Sequence, residues 1–217
     1  MHASKRKLAI TGWLLENKPE TFRSSLRYQK FLFFCESICA AEGEPYEFGG
    51  LKGYRKGPVF GAIWKDYTRE KDALKKSALA AYMENGLPVP ERYVALAEFV
   101  CNAFTEDELS DITHRMDIWK AGKERIESGE PHVQLSASDF SESDADLVRE
   151  FAMAFPPSFI ERKRVVRSGG TRYLFDAEDA ARLTESHKEE LCRLDSFGGF
   201  ENPVYSYIDE RGVLVFD

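Results

Sequence analysis

"SSLRYQKFLFFCESICAAEG", residues 24–43, decides the fold. Leu26, Phe31, Leu32, Phe33, Phe34, Cys35, Ile38 and Cys39 make this segment apolar nearly all round. A helix of that kind is predicted to run through the centre of a bundle. Gly43 is well placed to cap its end. On its N-terminal side, residues 4–16 carry Leu8, Ile10, Trp13 and Leu14 on one side of a helix that Pro19 would interrupt. On its C-terminal side, "PERYVALAEFVCNAF" (90–104) repeats Tyr93, Leu96, Val100 and Phe104 at helical spacing. Thr105 and Glu108 match a capping box, opening a helix with Leu109, Ile112, Met116 and Trp119 on one face. A polar connector runs through 125–142. Leu147, Val148, Phe151 and Phe155 then mark a further helix, stopped by Pro156-Pro157.

The pattern changes after that double proline. Residues 159–175 read as two strands around a Ser168-Gly169-Gly170 turn. Residues 177–195 read as a helix through Ala180, Leu183, Leu191 and Leu194, and 204–216 as a second hairpin. The expected fold class is mainly α (α+β): a helical body over 1–155 and a small C-terminal ββαββ appendage over 156–217.

Between the central helix and the next lies "EPYEFGGLKGY" (44–54), a Gly-rich aromatic connector with room for a short strand or turn. "YRKGPVFGAIWKDY" (54–67) follows. Gly57 is expected to supply an unusual backbone turn and Pro58 to take the first helical position. Val59, Ile63 and Tyr67 continue one face of that helix; Phe60 and Trp64 continue its neighbour.

Hydrophobic residues make up 43% of the 217, enough for a buried core. No stretch approaches the run of about 20 apolar residues that spans a bilayer, and the N-terminus does not resemble a signal peptide. Cys35, Cys39, Cys101 and Cys192 show neither metal-knuckle nor thioredoxin-like spacing. These features favour a soluble cytoplasmic protein with reduced thiols. Charge is uneven: residues 1–76 hold 15 Lys/Arg against 9 Asp/Glu, and residues 77–217 hold 15 against 28. Such asymmetry steers charged partners more than it shapes a fold.

Signals for catalysis are sparse. His2, His114, His132 and His187 lie in no HExxH pair. Asp111 and His114 share one helix turn, as metal ligands or the acid/base pair of a small hydrolase would, but a polar helix face is the better reading of that common spacing. There is no Gly-x-Ser-x-Gly elbow. Ser168-Gly169-Gly170 opens no helix and lacks the Gly-Lys-Ser/Thr of a phosphate loop. The expectation is a non-enzyme with no metal or cofactor. A second class is nucleic-acid binding. Lys5, Arg6, Lys7, Arg23, Arg27, Lys30, Arg55, Lys56, Lys65, Lys75 and Lys76, with Tyr28, Tyr54 and Trp64 between them, would suit phosphate contacts and base stacking on one surface. Against it stands a sequence pI of about 5.3.

Three stretches, in order, resemble the Panacea (SocA-like) antitoxin domain of bacterial and phage toxin–antitoxin systems. They are "LRYQKFLFFCESICAAEGEPYEF" (26–48), "LKGYRKGPVFGAIWKDY" (51–67) and "LSDITHRMDIWKAGKE" (109–124). Gln29-Lys30-Phe31-Leu32-Phe33 stands at the core of the first motif. Tyr54, Gly57, Pro58 and Val59 match the second, with Lys56 in place of an aromatic. Thr113, His114 and Trp119 match the third. The resemblance covers roughly 5–155. It implies a helical, non-enzymatic protein that neutralises a cognate protein toxin, encoded adjacently, by direct binding, with homo-oligomerisation an open alternative. It also singles out Lys30, Tyr54, Lys56, Gly57, Pro58, Trp64, His114 and Trp119 as motif or partner-binding residues. For Trp64 and Trp119 core packing is the competing reading; for Lys30 and His114 it is a hydrogen bond between helices.

Overall fold

In the computed structural model, which describes residues 2–198 and 200–217, the central helix runs where expected. The elements preceding and including it are α1 (Lys5–Asn17), α2 (Pro19–Arg23) and α3 (Ser25–Ala41). Every residue of α3 from Arg27 to Cys39 is buried, including Gln29, Lys30 and Glu36. The all-round apolar character therefore places α3 in the middle, and it carries its polar residues inside with it. The chain continues through β1 (Leu51–Tyr54), β2 (Gly57–Phe60), α4 (Gly61–Arg69), α5 (Lys71–Asn85), α6 (Glu91–Ala103) and α7 (Glu106–His114). Next come α8 (Asp117–Lys120), α9 (Lys123–Glu127), β3 (Val133–Gln134), a 3-10 turn at Ala137–Asp139 and α10 (Glu142–Ala154). The fold is mainly α, with two small sheets.

Helices α6, α10 and α2 pack on α3, while α1 pairs mainly with α5. Gly12 makes the second pairing close: a Cβ there would run into Ala78 O and Tyr82 Cβ. An aromatic cluster closes one end of the body. Phe22 meets Tyr28 edge-on at 4.8 Å and Tyr67 at 5.1 Å. The Tyr67 hydroxyl donates to Phe22 O at 3.0 Å, so the cluster's polar handle is satisfied.

Two expectations for this region are corrected. Pro58 does not open a helix. It lies in β2, which pairs antiparallel with β1 in the register Leu51↔Phe60 and Gly53↔Pro58. Arg55 and Lys56 form the turn, and the helix starts at Gly61. The strand order β2-β1-β3 leaves β2 at an edge, where a residue without an N–H is tolerated. Gly57 does adopt the left-handed side, φ 106°. The second correction is that the helix opened by the Thr105–Glu108 capping box does not run through to Trp119. It ends at His114, and Met116 caps α8. The buried Asp144 carboxylate stabilises the break, accepting from Asp117 N at 2.6 Å and Ile118 N at 3.0 Å. Leu109, Ile112, Met116 and Trp119 are all buried despite it.

The second compact unit begins at Phe155. It comprises α11 (Pro157–Arg162), β4 (Lys163–Ser168), β5 (Thr171–Asp176), α12 (Ala177–Arg182), α13 (Glu185–Phe197), β6 (Val204–Ile208) and β7 (Leu214–Phe216). The sheet order is β4-β5-β6-β7; the β5–β6 pair is parallel, and α12–α13 supply the crossover that parallel strands need. Tyr173, Phe175, Leu191, Val204, Ile208 and Leu214 form its core. The expected strand from 159 is helical up to Arg162, because Pro157 takes a first-turn position. The expected single helix over 177–195 is two, with Thr184 capping the second. The Ser168-Gly169-Gly170 turn is present, and Asp195 of α13 holds it, accepting from Gly170 N and Thr171 N at 3.0 Å each.

Cys35, Cys39 and Cys101 are buried free thiols, and Cys192 is exposed. Among the described residues no helix is long and apolar enough to cross a membrane.

Candidate functional site

The hairpin β1–β2 lies across the first half of α3. Gln29 pins it there, its Oε1 accepting from Phe60 N at 2.9 Å. Beneath the turn, Gly57 sits against two side chains: a Cβ at this position would collide with Lys30 Nζ and Thr113 Oγ1. Those two are themselves bonded, Lys30 Nζ donating to Thr113 Oγ1 at 2.5 Å. The sequence thus needs glycine at 57 for both its backbone angle and its lack of a side chain. Gly57→Ala is expected to cost at least about 2 kcal/mol by urea denaturation. A loss under about 0.5 kcal/mol, typical of a surface change, would show that the Lys30–Thr113 pair does not pack against the turn as described.

Lys30 is only 1% exposed. Among the described residues its ammonium forms no ion pair with a carboxylate, and its hydrogen-bond partner is a neutral hydroxyl. Burial is the main cause that brings the amine down to about 7; Cys101 works against it and the nearby charge of Lys56 with it. Next along α7, the His114 ring stacks on Trp119 with centroids 4.0 Å apart. Burial first, then the Lys30 charge, hold the imidazole below its usual range. Among the described residues, the buried His114 Nε2 has no hydrogen-bond partner. Trp119 Nε1 donates to Tyr54 O at 3.1 Å, tying α8 to the hairpin. Asp111 is exposed, and among the described residues its side chain makes no hydrogen bond to His114; only its charge acts on the imidazole.

A cleft of about 350 Å³ opens beside this arrangement. Lys30, Tyr54, Lys56, Pro58 and Trp64 line it, together with Ser25, Leu26, Gln29, Arg55 and Val59. Five of the eight residues singled out from the sequence therefore converge on one cavity. The other three, Gly57, His114 and Trp119, support the hairpin instead. Trp64 is half-buried and stacks on Tyr67 at 6.1 Å, so core packing and cleft wall are both its work. Lys30 makes the bond between helices expected of it, Trp119 is buried in the core as its packing reading expected, and the His114 ring is stacked on Trp119. Lys56 is exposed and bridges to Asp107 at 2.7 Å.

Gln29, named in the first motif but not among the eight, is the buried polar residue that joins Lys30 in the cleft lining. Its signal was present: a helix that is apolar all round leaves Gln29, Lys30 and Glu36 no exposed face, so each must find a buried role.

The single basic surface does not form. Lys7 is buried, with Nζ 2.6 Å from Glu36, and Arg6 reaches the same carboxylate at 3.0 Å. Arg27 is buried and donates to the α6 end carbonyls of Cys101 and Phe104. With Lys30 also buried, three of the eleven basic residues lie inside the protein, and the exposed Lys56 is bridged to Asp107. Among the described residues, no group of three His, Cys, Asp or Glu side chains is arranged to hold a metal ion. A scan against protein-family models, a search of curated proteins and a search of solved structures found no match to this chain, so the antitoxin resemblance has only its motif residues behind it.

Proposed function

We propose that the chain is an antitoxin that neutralises a cognate protein toxin by direct binding, using the cleft between α3 and the β1–β2 hairpin. One observation carries this reading: the motif residues Lys30, Tyr54, Lys56, Pro58 and Trp64, scattered over 35 positions, line a single open cavity. The rim offers a half-buried Trp64 beside exposed Arg55 and Lys56. Trp and Arg are the residue types that most often dominate protein–protein binding energy. Residues 156–217 lie outside the resemblance, and partner selectivity is assigned to them.

The test is a growth assay. The adjacent gene is expressed under tight control with and without this protein, and the two products are co-purified. Arrest that this protein relieves, with co-elution, supports the reading; a harmless neighbour or no association removes it. Trp64→Ala is expected to weaken the complex by about 2 kcal/mol, roughly 30-fold in Kd by calorimetry, with the full-length protein still folded. A chain ending at 155 that is folded by circular dichroism and still neutralises the same toxin would return selectivity to the helical body.

A further inference from the structure

The cleft is walled mainly by apolar side chains, and among the described residues two buried donors and no Asp or Glu line it. Lys30 and Gln29 are 1% and 2% exposed, and both contribute to its lining. A lysine ammonium has three N–H donors, and Thr113 Oγ1 takes one. The Gln29 carboxamide spends its oxygen on Phe60 N, while its Nε2, with two N–H donors, is buried with no acceptor. Buried polar groups in folded proteins are normally paired, so donors left over beside a cavity indicate what the cavity lacks. Arg55 adds positive charge at the rim, and no Asp or Glu is among the lining residues. Leu26, Pro58, Val59 and Trp64 supply apolar walls.

A carboxylate on a short apolar stem answers each of these features. It presents two acceptor oxygens to an amine and an amide, and it supplies the countercharge that Lys30 has nowhere else. From this geometry we infer that the cleft seats one acidic side chain of the partner protein, hydrogen-bonded by Lys30 Nζ and Gln29 Nε2, with a neighbouring apolar residue of the partner against Trp64. The identity of the partner as a toxin rests on the function proposed above; the carboxylate specificity does not.

The experiment uses the full chain and phenylacetate as a carboxylate on an apolar stem, with phenylacetamide as its neutral counterpart. Tryptophan fluorescence reports binding, and Trp64→Phe assigns the signal to the cleft. The expected result is a saturable response to phenylacetate at millimolar concentration, weaker by about tenfold or more for the amide. Lys30→Met, close in shape, is expected to abolish the preference, and to reduce co-purification of the toxin. Equal binding of acid and amide, a preference that survives Lys30→Met, or no saturable response overturns the inference, even if the toxin is neutralised. A carboxylate preference on Lys30 without toxin neutralisation removes the antitoxin reading and the proteinaceous source, and leaves a small-molecule acid site.

Discussion

Glu36→Ala is expected to destabilise the helical unit by about 3–5 kcal/mol, the range found when one partner of a buried charge pair is removed. Glu36 is 0% exposed. Its carboxylate accepts from Lys7 Nζ at 2.6 Å, Arg6 Nε at 3.0 Å and Glu47 N at 2.8 Å. It therefore joins α1, α3 and the connector that leads into the hairpin. Alanine would leave the buried Lys7 ammonium with the Glu47 carbonyl at 2.8 Å and, as countercharge, the half-exposed Glu47 carboxylate, whose Oε2 is 3.4 Å away. For a body of this size the melting temperature should fall by roughly 6–20 °C. Glu36→Leu combined with Lys7→Met removes both buried charges and should recover much of the loss. A Glu36→Ala penalty under about 1 kcal/mol, as for surface pairs, would mean that water reaches the site.

The second large effect is a dependence on pH. Lys30 has its ordinary value of 10.5 lowered to about 7 by burial. Between those two values the unfolded chain binds a proton that the folded chain does not, so stability rises with pH across that window and is flat for this group below it. Relative to Lys30→Met, the wild type should gain about 1.4 kcal/mol per pH unit from roughly pH 7.5 to 10, approaching a total of about 5 kcal/mol. Two other shifted groups fall outside most of this range. The stabilising contribution linked to His114, held below 6.5, is complete above that pH. Tyr28, raised above 10 by burial, contributes stability that is lost only above pH 10. Lys56 remains charged throughout, its value raised by Asp107. Urea melts of both proteins from pH 7 to 9.5 make the comparison; parallel curves would show that Lys30 stays hydrated and charged in the folded state.

These two residues also show what could be read from sequence and what could not. The central position of α3 follows from its apolar residues alone, and its polar residues are buried as a corollary. Their partners are another matter. Nothing local to Lys30 indicates Thr113, and nothing local to Glu36 indicates Lys7, because such pairs are set by how helices cross. The Gly57-Pro58 pair shows the same limit. A proline after a turn suits a first helical position and an edge strand equally, and only pairing with Leu51–Tyr54 decides between them. Helix α5 escaped notice because only Leu74 and Ala78 of its residues are buried, too narrow a stripe to give a clear period. In the second unit, the β-branched run Val165-Val166 pulled the strand assignment back over residues that Pro157 turns into helix. The eight motif residues were visible, but their division into five around a cavity, Gly57 at the hairpin turn, and His114 and Trp119 packed against it required the fold.

The bond between Lys30 and Thr113 spans 83 residues of chain. During synthesis at about 5–20 residues per second, that separation corresponds to roughly 4–17 s. Over that interval α3 is already made while the hydroxyl that will receive its lysine is not. Lys30 is therefore born as a hydrated ammonium and gives up water late, when α7 arrives to close over it. Until then Gly57 and the hairpin rest on α3 alone, through Gln29 and Lys30. Loss of that hydration shell marks the moment at which α3, α7 and the hairpin come together.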